Sequence, residues 1–274
     1  MPVNAYESKC ERLKKKVGGY ASEDVAVAFS GGVDSSLLLK IACDAARERG
    51  TRVYGVFLYT MLHPQGELEE AEKVAREMNA IFHVLKINEL EEAGIAENPA
   101  DRCYRCKRYL FQRIQEEMSS FGVRWILEGT NEDDLHVYRP GIRAVRELGI
   151  ISPLAEVKMT KKEVRRMAEE YGISVSKKPS VPCLATRFPY GTRISYEEMQ
   201  KVGAGEAFLK TLGLFNVRLR VHGKIARIEV DRQDMTVILD KKDVVTEYLK
   251  NLGYIYITLD LEGFRSGSMD TEIR

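Results

Sequence analysis

The sequence predicts an α/β fold, an open parallel sheet followed by a smaller α+β region. Three observations carry that prediction. Short β-branched runs alternate with longer amphipathic stretches over the first two-thirds of the chain. A Gly-Gly pair stands directly between the first strand-like run and the first long helix. The alternation then stops at a proline-containing stretch and resumes with a different pattern, helix, hairpin, helix, strand.

The elements follow in chain order. The first 16 residues have helical character without an apolar signal core. Val25–Phe29 is a compact apolar run, the mark of a strand buried on both faces. Val33–Arg49 has helical spacing and stops at Gly50. Val53–Tyr59 is a second strand, Glu67–Asn79 a helix, and Ile81–Ile87 a third strand. A helix over Tyr104–Phe121, a short strand over Arg124–Leu127 and a helix over Lys161–Tyr171 complete the pattern. Strand–helix alternation at this spacing implies right-handed crossovers and helices on both faces of a parallel sheet. Ligands of such sheets bind at the carboxyl ends of the strands.

Lys177–Arg193 holds Pro179, Pro182, Pro189 and Gly191 and has no period, so it reads as a long functional loop. Tyr196–Leu212 is a helix. Asn216–Val221 and Lys224–Val230 form a hairpin around His222-Gly223, followed by a helix over Lys241–Leu252 and a strand over Tyr254–Thr258. The polar tail after Leu261 is expected to be loose. The expected division is 1–187 and 188–274.

Composition narrows the class. The 274 residues carry 42 Lys+Arg against 41 Asp+Glu, a net charge of +1, which does not suggest a nucleic-acid-wrapping protein. No apolar run approaches the roughly 20 residues that cross a bilayer, so a cytoplasmic protein without a membrane partner is expected. The five cysteines are odd in number, which argues against a disulfide framework. Cys10 and Cys43 sit on helical faces and read as small hydrophobes.

The strongest local signal is Ser30-Gly31-Gly32-Val33-Asp34-Ser35-Ser36. The two glycines allow backbone angles closed to other residues and let phosphate oxygens approach the main chain. The amides of the turn and the helix start then converge on one spot, where the helix dipole adds positive potential. Ser30, Ser35 and Ser36 can add hydroxyl donors, and Asp34 can hold a divalent cation or cap the turn. The segment is neither a Walker A loop nor a dinucleotide fingerprint. A second polar segment, Glu128-Gly129-Thr130-Asn131-Glu132-Asp133-Asp134, follows the fourth strand at the same sheet edge.

Cys103 and Cys106 form a C-x-x-C pair at a helix start, among Arg102, Arg105 and Lys107, which favour thiolate. Cys183 lies in the long loop. Three such cysteines could hold three irons of a [4Fe-4S] cluster and leave the fourth open. Zinc is disfavoured, because only four histidines exist and none is near in sequence. Arg218 and Arg220 alternate on a strand, so both leave the same face, a disposition that suits a phosphate or carboxylate. Arg187 and Arg193 flank the cysteine loop. The alternative for each arginine is a solvated or ion-paired residue.

Ser30 to Ser35 matches the S-G-G-x-D-S signature of the PP-loop ATP pyrophosphatases, and Gly129 to Asp134 is similar to the G-T-N-x-D-D segment several of them carry. With Arg102-Cys-Tyr-Arg-Cys-Lys107, Pro182-Cys-Leu-Ala-Thr-Arg-Phe-Pro-Tyr-Gly191 and Val217-Arg-Leu-Arg-Val-His-Gly223, the chain resembles the LarE family from about Ala21 to Tyr256. These are ATP-dependent sulfur transferases of nickel-pincer nucleotide biosynthesis.

The resemblance implies a PP-loop (adenine nucleotide α-hydrolase-like) sheet with a smaller α+β C-terminal domain. ATP and Mg2+ would bind at Ser30, Gly31, Gly32, Asp34, Ser35, Ser36, Gly129 and Thr130, with Asp34 and Cys183 catalytic. The substrate implied is a small-molecule nucleotide, pyridinium-3,5-biscarboxylic acid mononucleotide, bound by Arg187, Glu206, Arg218 and Arg220. One branch of the family sacrifices the sulfur of a cysteine at the position of Cys183. In another, a triad matching Cys103, Cys106 and Cys183 holds a [4Fe-4S] cluster, and the resemblance to this three-cysteine type is the one that implies the expected cofactor here. A homo-oligomer, often a hexamer, is the family assembly. A PP-loop tRNA thiolase, an amide-forming ligase and a non-catalytic nucleotide sensor are the alternatives.

Overall fold

The computed structural model describes residues 5–60, 66–179, 182–265 and 267–270. They fall into two units: one comprises 5–60, 66–94 and 101–179, the other 95–100 with the residues from Pro182 onward. Among the described residues no helix is long and apolar enough to cross a membrane.

The first unit runs α1 (Ala5–Tyr20), β1 (Val25–Ala28), α2 (Val33–Arg49), β2 (Val53–Tyr59), α3 (Glu67–Glu77), β3 (Ile81–Lys86), α4 (Glu89–Glu92), α5 (Arg102–Ser120), β4 (Trp125–Leu127), α6 (Gly141–Glu147), α7 (Pro153–Glu156) and α8 (Lys161–Glu170). Its four strands are all parallel, in the order β3-β2-β1-β4. Ile151 adds a further parallel bridge to Leu127.

The period-2 alternation of the strands divides the core between two faces. Val25, Val27, Val53 and Phe57 pack on one side with apolar residues of α1, α2 and α8. Ala26, Tyr54 and Val56 pack on the other with Phe111, Ile114 and Met118 of α5 and Val145 of α6. The α/β class and the open parallel sheet stand as expected. Strand order reverses between β1 and β4, so the crevice outside their carboxyl ends is where this architecture places a ligand.

The second unit contains α9 (Tyr196–Thr211), β5 (Val217–His222), β6 (Ile225–Val230), α10 (Met235–Asp240), α11 (Lys242–Asn251) and β7 (Tyr256–Leu259). β5 and β6 are antiparallel, and β7 joins β6 in parallel, giving a mixed sheet of order β5-β6-β7. The expected hairpin turns at Gly223, whose φ of 62° lies in the left-handed region.

The expectation of a loose tail is corrected for the described part of it. Phe264 N donates to Val230 O at 2.8 Å, Ser268 Oγ donates to Glu229 Oε1 at 2.8 Å, and Met269 is buried. Polarity of sequence misled here, because the tail is held by hydrogen bonds to β6 rather than by an apolar face. Residues 271–274 lie outside the described residues, as do Ser180 and Val181 of the long loop.

Candidate active site

The loop after β1 folds on itself before α2 begins. Gly31 takes φ 68°, and a Cβ there would stand 3.1 Å from the Ala71 Cβ, so both conformation and space require glycine. Ser35 Oγ donates to Gly32 O at 3.1 Å and accepts from Ser30 N at 3.3 Å. Gly32 is the N-cap of α2 and no side chain caps the helix, so its leading amides are not taken by a cap. Asp34 does not cap the turn, as the sequence allowed. Ser36 Oγ is fully buried without a hydrogen-bond partner among the described residues.

The segment after β4 closes on this loop. A Cβ on Gly129 would lie 3.0 Å from the Asp34 Cβ and 3.1 Å from Ser35 N, so the second glycine is needed for that approach. Asn131 Nδ2 donates to Asp34 Oδ1 at 3.2 Å, and Asn131 Oδ1 accepts from the amides of Asp133 and Asp134. Thr130 donates through both its amide and its hydroxyl to Glu128, which is buried. Ser152 Oγ also donates to Glu128, and Lys107 reaches it from α5 at 3.4 Å. The two motifs that the sequence singled out therefore meet at the strand-order reversal.

Sequence reasoning missed two members of this site. Lys161, at the start of α8, forms an ion pair with Asp34. Asn131 lay in a quoted motif but was given no role. Lys161 had one readable signal: Thr160-Lys-Lys-Glu163 is a capping-box pattern. The box is formed, which fixes the helix start that presents Lys161.

Cys103 and Cys106 lie three residues apart near the start of α5, hence on one side of it. Cys103 is exposed and Cys106 half-buried, and Arg102 Nη2 approaches Cys103 Sγ at 3.9 Å. Gly141 packs tightly against this turn, within 3.3 Å of Cys103 O for an added Cβ. Burial pushes the Cys43 thiol up to about 12, in keeping with a packing role.

Cys183 belongs to the second unit, immediately before a 3₁₀ turn at Leu184–Arg187. Among the described residues, no three His, Cys, Asp or Glu side chains come together as a metal site. Of the three cysteines, Cys103 and Cys106 belong to the first unit and Cys183 to the second. The single carboxylate of Asp34 does fit Mg2+, which usually takes only one or two carboxylates and otherwise binds substrate phosphates and water.

The four residues expected to contact substrate lie in the second unit, and two of them, Arg187 and Glu206, are engaged with each other. Arg187 and Glu206 form a buried two-pronged pair, Nε to Oε1 at 2.7 Å and Nη2 to Oε2 at 2.9 Å. Arg220 pairs with buried Glu229 at 3.0 Å. Arg218 differs. Its Nη1 donates to Val217 O at 2.8 Å and its guanidinium lies 5.0 Å from the Phe264 ring centre, but no carboxylate pairs with it among the described residues. Burial, then the nearby Arg187 charge, lower its pKa, and it remains the cation of this group with donors to spare. Arg193 is exposed and lies 3.6 Å from Glu97.

A glycine-rich loop with free helix amides, facing an acidic residue at the reversal of a parallel sheet, defines an ATP-using PP-loop enzyme. Residues 4–137 match the family described as PP-loop domain. The chain is 36% identical to the pyridinium-3,5-bisthiocarboxylic acid mononucleotide synthase of Lactiplantibacillus plantarum, over 90% of this chain and 88% of that one. It is also 36% identical to an uncharacterised protein of Synechocystis sp., covering 96% and 97% of the two chains. An uncharacterised protein of Methanocaldococcus jannaschii is 31% identical over 93% and 94%. The chain belongs to this family of PP-loop ATP-dependent enzymes.

Proposed function

We propose that the protein uses ATP to adenylate a carboxylate of pyridinium-3,5-biscarboxylic acid mononucleotide, and then replaces a carboxyl oxygen with sulfur, in nickel-pincer nucleotide biosynthesis. The observation that carries this reading is the closure of Gly129-Thr130-Asn131 onto the Gly31-Gly32 loop around Asp34, in a chain so similar to a bisthiocarboxylic acid mononucleotide synthase.

Chemically, the substrate carboxylate attacks the α-phosphorus of ATP, and the bond to the β-phosphate oxygen breaks. Pyrophosphate leaves into the loop of Ser30, Gly31, Gly32, Ser35 and Ser36, whose amides and hydroxyls offset its charge. Mg2+ held by Asp34 would supply further charge neutralisation there. Gly129 and Thr130 border the nucleotide. Adenylation is needed because AMP is a far better leaving group than a carboxylate oxygen. The Cys183 thiolate then attacks the acyl carbon and displaces AMP. Loss of the Cys183 α-proton and cleavage of its Cβ–S bond leave sulfur on the substrate and dehydroalanine in the chain. Arg218 receives the substrate phosphate or its second carboxylate.

A second reading of the sulfur source is favoured by the one-turn spacing of Cys103 and Cys106. A [4Fe-4S] cluster on these and Cys183 would supply an iron-bound sulfide, and Cys183 would survive turnover. The mass of the Cys183 peptide decides. Loss of one hydrogen sulfide after turnover supports sacrifice. An intact Cys183, with iron bound and lost on Cys103→Ala, supports the cluster. Absence of substrate-dependent pyrophosphate release overturns the whole reading. A homo-oligomer in the cytoplasm belongs to the same proposal, with light scattering as its check.

A further inference from the structure

Beyond the backbone bonds of its 3₁₀ turn, the loop that carries Cys183 is held by side chains. Arg187, 1% exposed, donates from Nη1 to the carbonyl oxygens of Pro182 and Cys183, both at 3.3 Å, and to Thr186 Oγ1 at 2.7 Å. Thr186 Oγ1 donates in turn to Cys183 O at 2.8 Å. Arg220 Nη1 donates to Thr186 O at 3.0 Å. Asn98 Nδ2 donates to the carbonyls of Phe188, at 3.2 Å, and Pro189, at 2.7 Å. Carbonyls at 182, 183, 186, 188 and 189 are thus tied down by three buried residues, Arg187 within the loop and Asn98 and Arg220 from distant parts of the sequence. Surface loops usually leave such carbonyls to water.

The supports are themselves fixed. Glu206 neutralises Arg187 with two parallel hydrogen bonds and also accepts from Leu219 N at 2.9 Å, which anchors it to β5. Every guanidinium nitrogen of Arg187 is engaged within the protein. A substrate anion could be bound by Arg187 either by displacing Glu206 from Nε and Nη2, which would leave a buried carboxylate without its cation and is strongly unfavourable, or by taking Nη1 away from the loop oxygens it holds. Asn98 holds a left-handed backbone, φ 48°, and the same segment pairs with the loop through Gly191 N to Asn98 O at 2.9 Å and Ile194 N to Ala96 O at 2.8 Å.

We propose that Arg187, with Glu206 as its counter-ion, and Asn98 are positioning residues that fix the Cys183 thiol, and that of the four expected contacts Arg218 is left to meet the substrate anion. The proposal rests on the reading of Cys183 as the sulfur-bearing residue. Attack on an acyl adenylate demands a thiolate held close to the acyl carbon, and a displacement of about 1 Å is enough to lose on the order of 100-fold in rate.

The test compares the native chain with Glu206→Gln, Arg187→Lys and Asn98→Gly. Iodoacetamide alkylation is followed by peptide mass spectrometry, with exposed Cys103 as internal reference. Cys183 alkylation is expected to rise several-fold in each variant as the loop loosens, with Cys103 unchanged. Sulfur transfer should lose on the order of 100-fold in its single-turnover rate constant, while the KM values for ATP and for the carboxylate substrate in pyrophosphate release stay as in the native chain. Unchanged Cys183 alkylation in folded variants overturns the proposal. So does a raised KM for the carboxylate with the single-turnover transfer rate intact, since that is the signature of direct contact.

Should the variants fail to fold, hydrogen exchange on the native chain takes their place. Slow exchange across 182–189 supports the proposal, and exchange as fast as in an unstructured peptide sinks it. A native chain that consumes no ATP with the pyridinium substrate would refute the proposed function alone, because alkylation and exchange read the loop directly.

Discussion

Asp34 gathers partners from far along the chain, Asn131 at a separation of 97 residues and Lys161 at 127. Neither contact is visible in a motif, because each exists only once parallel strands bring their carboxyl ends together. Ser30 to Ser36, by contrast, was legible at once, since its geometry is local and glycine has few other reasons to stand twice between a strand and a helix. The arginines fall between these cases. Their shared strand face followed from spacing, but the engagement of Arg187 and Arg220 by Glu206 and Glu229 required the partner elements. In the proposed reading the importance of the part-buried Lys161–Asp34 pair lies with the nucleotide, whose phosphates would draw Lys161 as Asp34 takes Mg2+. Lys161→Ala should therefore lower kcat/KM for ATP by on the order of 100-fold, measured by substrate-dependent pyrophosphate release.

Among the elements, the start of α8 and the segment after β4 close on the loop around Asp34. Gly129 has an ordinary backbone conformation, so its glycine is required by space alone, against Ser35 N and the Asp34 Cβ. Gly129→Ala should push the two segments apart, weakening ATP binding in calorimetry while the sheet stays folded.

The start of α8 depends on the Thr160–Glu163 box, and Glu163 is also bonded to Lys9 of α1 at 2.9 Å. Burial raises the Glu163 pKa, but the Lys9 ammonium and the Thr160 donors outweigh it, and the net shift is downward. A carboxylate lowered on folding stabilises the protein above its usual value of about 4.3, and that contribution is lost as pH falls through the lower native value. Thr160→Ala should cost about 1 kcal/mol at neutral pH. Glu163→Gln should destabilise at pH 7 and lose most of that effect near pH 3, both read from melting curves.

At the scale of the whole chain, sequence order and spatial grouping part company. The break in alternation after Lys177 pointed to a second unit, and the mixed sheet is there, but nothing in composition marked 95–100 as belonging with it. That segment sits between α4 and α5, and its signal was a single Asn. Buried Asn98 satisfies two loop carbonyls and presents its own carbonyl to Gly191, contacts made 90 or so residues away in sequence. A cut at any one position therefore cannot separate the units intact. A fragment from Pro182 onward would lack Asn98 and Ala96, leaving the carbonyls of Phe188 and Pro189 and the amides of Gly191 and Ile194 without these partners. Hydrogen exchange of that fragment should show Gly191 and Ile194 unprotected while β5 and β6 remain slow, since the β5–β6 ladder is internal to it. Protection of Gly191 and Ile194 equal to that in the full chain would mean that the 95–100 segment is a passive connection, and that the cysteine loop is built without it.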